Sequence, residues 1–132
     1  MASAELEVRI SIRDRYSAYS DAVFQQDNEA WLACWSEGGV WAIFGKEITG
    51  KEALRKQWAE TWKTIDRMAF FCEVGAIEID GSRASVRSYC HEIVSLKEGK
   101  LLKVIAQYSD ELVKEGGVWV FSRRVYSVLM RE

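Results

Sequence analysis

The chain contains no proline and a single histidine. Without proline, no residue has a locked φ or a missing backbone donor, so helices and strands can run long without an imposed break. One histidine and three scattered cysteines (Cys34, Cys72, Cys90), with no CxxC pair, suit neither a zinc site nor a disulfide framework. No metal and no cofactor are expected. Reduced thiols fit a cytoplasmic setting. An excess of one charge is missing too: 18 basic residues stand against 20 acidic ones, for a net charge of −2. That argues against a nucleic-acid partner, which would call for a basic excess or stripe. No apolar run approaches the roughly 20 residues needed to cross a bilayer. The opening MASAELEVRISIRDRY is charged throughout, so neither a membrane span nor a signal peptide is expected. Repeats, linkers and low-complexity tracts are absent. A length of 132 residues suits one domain, 1–132.

What is present is aromatic. Six tryptophans contribute to an aromatic content of 12%, within a hydrophobic fraction of 48%. Such a composition fits a packed core or an apolar pocket equally well. The order of patterns is more informative, and it changes character near residue 66. Before it, Ile12, Tyr16, Tyr19 and Val23 recur at helical spacing and predict a helix over about 4–25. Asp27 precedes Trp31, Cys34 and Trp35 as the N-cap of a short second helix. VWAIFGKEIT (40–49) reads as a small hairpin around Gly45. Thr49 and Glu52 have the spacing of a capping box ahead of a third helix, with Leu54, Trp58 and Trp62 as its buried stripe. After it, long strands are predicted at 67–79, 83–96, 101–113 and 118–130. Asp80-Gly81, Glu98-Gly99 and Gly116-Gly117 punctuate them, and Asp-Gly between β-rich runs is a strong hairpin signal. Strands of about 13 residues exceed the usual five or six and suit a strongly curved sheet. Helices segregated from an antiparallel sheet make the class α+β. Helices over a curved sheet leave a cavity between them, suited to a small ligand.

This layout resembles the SnoaL-like branch of the NTF2-like superfamily. The features that carry the resemblance are YSDAVFQQDNEAWLACW (19–35), ITGKEAL (48–54), EIDGSRASVRSY (78–89) and KEGGVWVFSRRV (114–125). Together they cover nearly the whole chain. The resemblance implies a cone-shaped, cystatin-like fold, with three N-terminal helices packed on a strongly curved antiparallel sheet. It implies kinship with ketosteroid isomerases, scytalone dehydratases, polyketide cyclases and dehydrochlorinases, most of which move a proton at carbon. In the dehydrochlorinase and scytalone dehydratase group, an aspartate ending helix 1 works with a histidine on the first long strand. Counted forward from Tyr19, that aspartate position falls on Asp27; counted back from helix 2, it falls on Phe24. The histidine position falls on Phe70. The pair is therefore not intact. Tyr19 matches the oxyanion-hole tyrosine of the ketosteroid isomerases, whose catalytic aspartate position is Ile43 here. The resemblance also puts Tyr108 and Arg124 on the pocket, with Phe24, Trp41 and Phe70 as apolar walls.

Period-2 alternation sorts the candidates on the strands. Ala84, Val86, Ser88, Cys90, Glu92 and Val94 share a face suited to packing under helices. Arg87, Tyr89, His91 and Ile93 share the other, which looks outward. His91 is then either a general acid or base, or an outer-face residue at a subunit contact. Glu92 is either a buried proton shuttle or an ion-pair partner of Arg124. Asp27 is either a helix-end base or simply a cap. Tyr19 is either a phenol donor to an oxyanion or a core aromatic. Arg124 has Asp110 as an alternative partner. Cys72 and Cys90 read as small buried residues rather than nucleophiles. In the last strand, Val120, Ser122, Arg124, Tyr126 and Val128 share the pocket face. Trp119, Phe121, Val125 and Leu129 share the outer one. An apolar outer face predicts a homodimer, sheet to sheet.

Two functions follow. One is a cofactor-independent lyase or isomerase of dehydratase or cyclase type, acting on a small hydrophobic molecule, with Glu92 or Asp27 as base and Tyr19 or Tyr108 holding the oxyanion. The other is a non-catalytic protein that binds a hydrophobic ligand or serves as a dimeric accessory, which the missing Asp–His pair favours.

Overall fold

A computed structural model describes residues 2–132. The elements run α1 (Ala2–Gln25), α2 (Asn28–Ala33), β1 (Trp35–Ile43), β2 (Lys46–Thr49), α3 (Lys51–Thr64), β3 (Ile65–Asp80), β4 (Arg83–Leu96), β5 (Leu101–Glu115) and β6 (Val118–Arg131). All six strands form one sheet in the order β2-β1-β6-β5-β4-β3. Neighbours are antiparallel except β1 and β6, which run parallel. That parallel contact is the feature the residue pattern did not predict. It joins the small hairpin to the long meander, so a four-stranded sheet becomes a six-stranded one.

The sheet is curved, and one side chain demonstrates it. The Tyr19 ring on α1 lies 5.7 Å from Phe70 on β3 and 5.5 Å from Phe121 on β6. Those strands are three positions apart, or about 14 Å in a flat sheet with strands roughly 4.8 Å apart. Both side chains reach one ring because the sheet bends toward it. α1 accordingly packs on β3 and β6, and α3 packs on β1, β2 and β3.

The tryptophans explain how the helices are held. Trp31 of α2 stacks on Trp58 of α3 with centroids 4.2 Å apart, and meets Trp35 and Trp41 of β1 edge-on. Trp62 continues the chain from Trp58. Five of the six tryptophans thus weld the second and third helices to the hairpin strand. Each such aromatic pair adds about 0.5–1.5 kcal/mol beyond its area burial.

Two local expectations are corrected. The Thr49–Glu52 capping box does not form: Gly50 is the N-cap of α3, and no side chain bonds to that helix start. Thr49 is held in β2, paired with Val40, one residue too early to cap. On β6, Trp119 and Phe121 are buried rather than on the outer face. The register with β5 steps from Glu111↔Arg123 to Leu112↔Phe121, so Ser122 is an extra residue in a bulge. A bulge of one residue swaps the two faces beyond it. Arg124 and Tyr126 stay inward, and Phe121 joins them.

Candidate functional site

A cavity of about 620 Å³ opens between α3, the β1–β2 hairpin and the inner face of the sheet. Its walls are mostly apolar, with Met68, Val94, Val104 and Val128 among them, and it contains Trp41, Tyr108, Tyr126 and Glu92. That size lies within the range usual for small-molecule sites.

Glu92 is brought there by strand alternation. The buried positions of β4 are Ala84, Val86, Ser88, Cys90, Glu92 and Val94, the face expected from the sequence. Glu92 is 8% exposed. Its Oε2 accepts a hydrogen bond from the Tyr126 hydroxyl at 2.6 Å and one from the Cys90 thiol at 3.3 Å. No ion pair reaches it among the described residues. Burial raises its pKa above the ordinary 4.5, and the Tyr126 bond, the Cys90 bond and the Arg124 charge pull it back only in part. The carboxylate in turn acts on its neighbours. Burial and then the Glu92 charge push both the Tyr126 phenol and the Cys90 thiol upward, so each keeps its proton and remains a donor.

Tyr108 sits beside this pair, its ring 5.1 Å from that of Tyr126. Trp41 Nε1 donates to the Tyr108 hydroxyl at 3.0 Å. With its oxygen already accepting, the phenol has its own hydrogen to give. Burial, chiefly, holds that phenol far above its ordinary value. Tyr108 is therefore a neutral donor at physiological pH.

Beneath the cavity lies a charged floor. Arg124 is fully buried and grips Asp110 through two bonds, Nε to Oδ1 at 2.8 Å and Nη2 to Oδ2 at 3.1 Å. Ser88 donates to Asp110 at 3.0 Å, and the Tyr16 hydroxyl also donates to it. The Arg124 guanidinium packs 3.7 Å from the Tyr108 ring centroid and 4.5 Å from that of Tyr19. Of the two partners left open by the sequence, Asp110 is the one Arg124 takes; Glu92 stays outside the ion pair.

Most of the remaining candidates lie outside this cavity, and Phe24, Phe70 and His91 line a second groove of about 830 Å³ beside α1. Asp27 is exposed and its Oδ1 accepts from the Ala30 backbone N–H at 3.1 Å, which is the N-cap role. As it only caps α2, Asp27→Ala should cost roughly 1 kcal/mol in a urea unfolding midpoint and leave any activity unchanged. His91 lies on the face of β4 opposite Glu92, in the row formed with Phe71, Ile105 and Met130. Alternation keeps it out of the cavity of Glu92 and puts it in the second groove, with Phe71 and Tyr89. Phe24 is 42% exposed, its ring 5.3 Å from Phe71, and it lines the second groove rather than the cavity of Glu92. Phe70 is core, against Tyr19. Tyr19 is buried below the cavity among Trp31, Trp35, Phe70 and Phe121, with its phenol pushed up to about 12 by burial. Trp41 and Tyr108 line the cavity. No group of three or more metal-ligating side chains converges among the described residues.

Two site residues went unpredicted as such. Tyr126 shares a strand face with Arg124, so the signal was present, but only the fold brings its hydroxyl to Glu92. Phe44 stands at the mouth, 72% exposed, with its ring 5.6 Å from Tyr126. It occupies the hairpin turn beside Gly45 at φ 47°, where an L side chain costs of order 1 kcal/mol. Asn or Gly would relieve that cost, and neither would shelter Tyr126.

A SnoaL-like domain model matches residues 4–125. A scytalone dehydratase candidate from Novosphingobium aromaticivorans superposes with a TM-score of 0.93 at 21% identity, over 100% of this chain and 91% of the other. A type 2 hexachlorocyclohexane dehydrochlorinase superposes with a TM-score of 0.91 at 18% identity, over 100% and 92%. A protein of unknown function with a cystatin-like fold, from Nostoc punctiforme, superposes with a TM-score of 0.79 at 22% identity, over 92% and 90%. A comparison with curated proteins gave no match. At these identities the structural likeness shows the fold alone.

Proposed function

The chain belongs to the SnoaL-like domain family of the NTF2-like superfamily, and on that premise we propose that it is a cofactor-independent lyase or isomerase of dehydratase or cyclase type. Its substrate is a small, largely apolar carbonyl compound held in a cone-shaped cavity, and the reaction moves a proton at carbon. One observation carries the reading: a buried carboxylate, in no ion pair among the described residues, stands on the wall of an apolar cavity with phenol donors beside it. Glu92 is the base. Its raised pKa brings its proton affinity closer to working pH, which favours proton transfer. Tyr126 orients the carboxylate through its hydrogen bond. Tyr108, whose oxygen already accepts from Trp41, donates to the carbonyl oxygen as negative charge grows there. Apolar walls exclude water and strengthen both interactions.

The test is exchange of α-protons into D2O for a panel of small aryl and cyclic ketones, followed by NMR. Exchange faster than buffer, and faster than Glu92→Gln, supports the enzyme. A second reading, a non-catalytic protein binding a hydrophobic ligand, is favoured by the incomplete Asp–His pair, with Phe70 at the histidine position and Asp27 or Phe24 at the aspartate position. Ligand binding with no exchange would select it.

The same premise supports a homodimer in the cytoplasm. Phe71, Leu129 and Met130 are more than half exposed on or beside the outer sheet face, and Ile105 lies between them. An isologous contact through this face would bury them against their own copies. Sedimentation at micromolar concentration should give a dimer, and Ile105→Glu should give a monomer. A wild-type monomer would refute the assembly. Among the described residues, no helix is long and apolar enough to cross a membrane.

A further inference from the structure

We propose that the cavity takes an apolar monocarboxylate, bound with its carboxylate at the mouth between Lys46 and Arg131 and its apolar part directed toward Glu92. The inference rests on the cavity being a ligand site and adds the chemistry of that ligand. Three charged side chains line the cavity: Lys46, Arg131 and Glu92. Their distribution is polarised. Glu92 is buried, whereas Lys46 and Arg131 are exposed, at the hairpin end of β2 and the last residue of β6.

Both cations are available. Neither makes an ion pair among the described residues, and Lys46 has only a long hydrogen bond to Gln57, at 3.5 Å. Contrast Arg123 on the same strand, whose side chain is spent on Glu47. Arg131 is also on the inner face. It registers with Val104, which registers with Glu92, so the three form one row across β6, β5 and β4. Its guanidinium therefore rises over the cavity and not over the outer face.

The charges fix orientation as well as class. A carboxylate driven to the inner end would meet Glu92 in an apolar surrounding, where like charges repel most strongly. At the mouth it meets two cations and keeps part of its hydration. Between the ends the walls offer Met68, Val94, Val104 and Val128. A neutral apolar molecule would gain the walls and leave both cations idle.

Decanoate and decan-1-ol share a chain length and differ in charge, which makes them the probes. Their affinities can be read from quenching of tryptophan fluorescence, since Trp41 lines the cavity. Two largely exposed ion pairs, each worth up to about 1 kcal/mol, predict roughly ten-fold tighter binding of decanoate at low salt. Lys46→Gln/Arg131→Gln should abolish that preference and leave the decan-1-ol affinity unchanged. Both residues are exposed, so the double variant should fold. Raising the ionic strength should shrink the wild-type preference toward parity. Equal wild-type affinity for the two probes overturns the proposal while the cavity reading stands. So does a preference that survives the double variant. Binding of neither probe overturns the cavity reading and this one with it.

Discussion

Replacing Glu92 by Gln should lower the rate of proton exchange by roughly 10²–10⁴-fold, the usual contribution of a positioned general base. The amide keeps the shape of the side chain and can still accept from Tyr126, but it has no basic oxygen. Loss of rate would therefore report chemistry rather than collapse of the site. The same substitution should raise stability at neutral pH. The folded-state pKa of Glu92 is raised by burial, so the protein favours the protonated form more than the unfolded chain does. Its contribution is fully present below the unfolded value, near pH 4, and is lost as pH rises through the folded value. Across that window the wild type loses up to about 1.4 kcal/mol per pH unit relative to the Gln variant, and above it the gap is constant. Urea midpoints at a series of pH values measure this. Curves that meet in acid and separate toward neutrality, with Glu92→Gln the more stable, agree with a functional carboxylate held against its own solvation. A wild type more stable at neutral pH would mean that Glu92 has a structural partner.

The second large effect lies one layer below. Arg124→Met should destabilise by about 3–5 kcal/mol, because it leaves the Asp110 carboxylate buried without its cation. Ser88 and Tyr16 would still donate to Asp110, but two neutral donors do not balance a full charge in that surrounding. Arg124→Met/Asp110→Leu removes both charges and should recover most of the loss, since a buried pair is often no better than well-packed apolar residues of similar volume. Urea unfolding of the four-member cycle isolates the coupling. A single variant costing under 1 kcal/mol would show that water reaches Asp110. The double variant should nevertheless be a poorer catalyst: the guanidinium packs against the Tyr108 ring, and without it that phenol is less firmly placed. Stability recovered without activity would separate the two roles of the pair.

Legibility followed the range of the interactions involved. Asp27 could be read as a cap because an N-cap bond spans three residues, and it is made. Glu92 and His91 could be separated because adjacent strand residues face opposite ways, and they do. Thr49 and Glu52 had the spacing of a capping box, yet the strand pairing of Thr49 took precedence, leaving Gly50 at the helix start. Trp119 and Phe121 alternated outward on paper and packed inward because one bulge at Ser122 shifted the register.

From the sequence alone came the α+β class, the long meander and the inward face of β4, all set by periodicity and by turn residues acting within a few positions. Only the tertiary structure decided the site. It chose Asp110 over Glu92 as the partner of Arg124, joined Tyr126 to Glu92 across 34 positions of chain, and put Phe24 in a different groove from Glu92. Those outcomes depend on strand order, on the parallel β1–β6 contact and on how far the sheet bends, none of which any local pattern encodes.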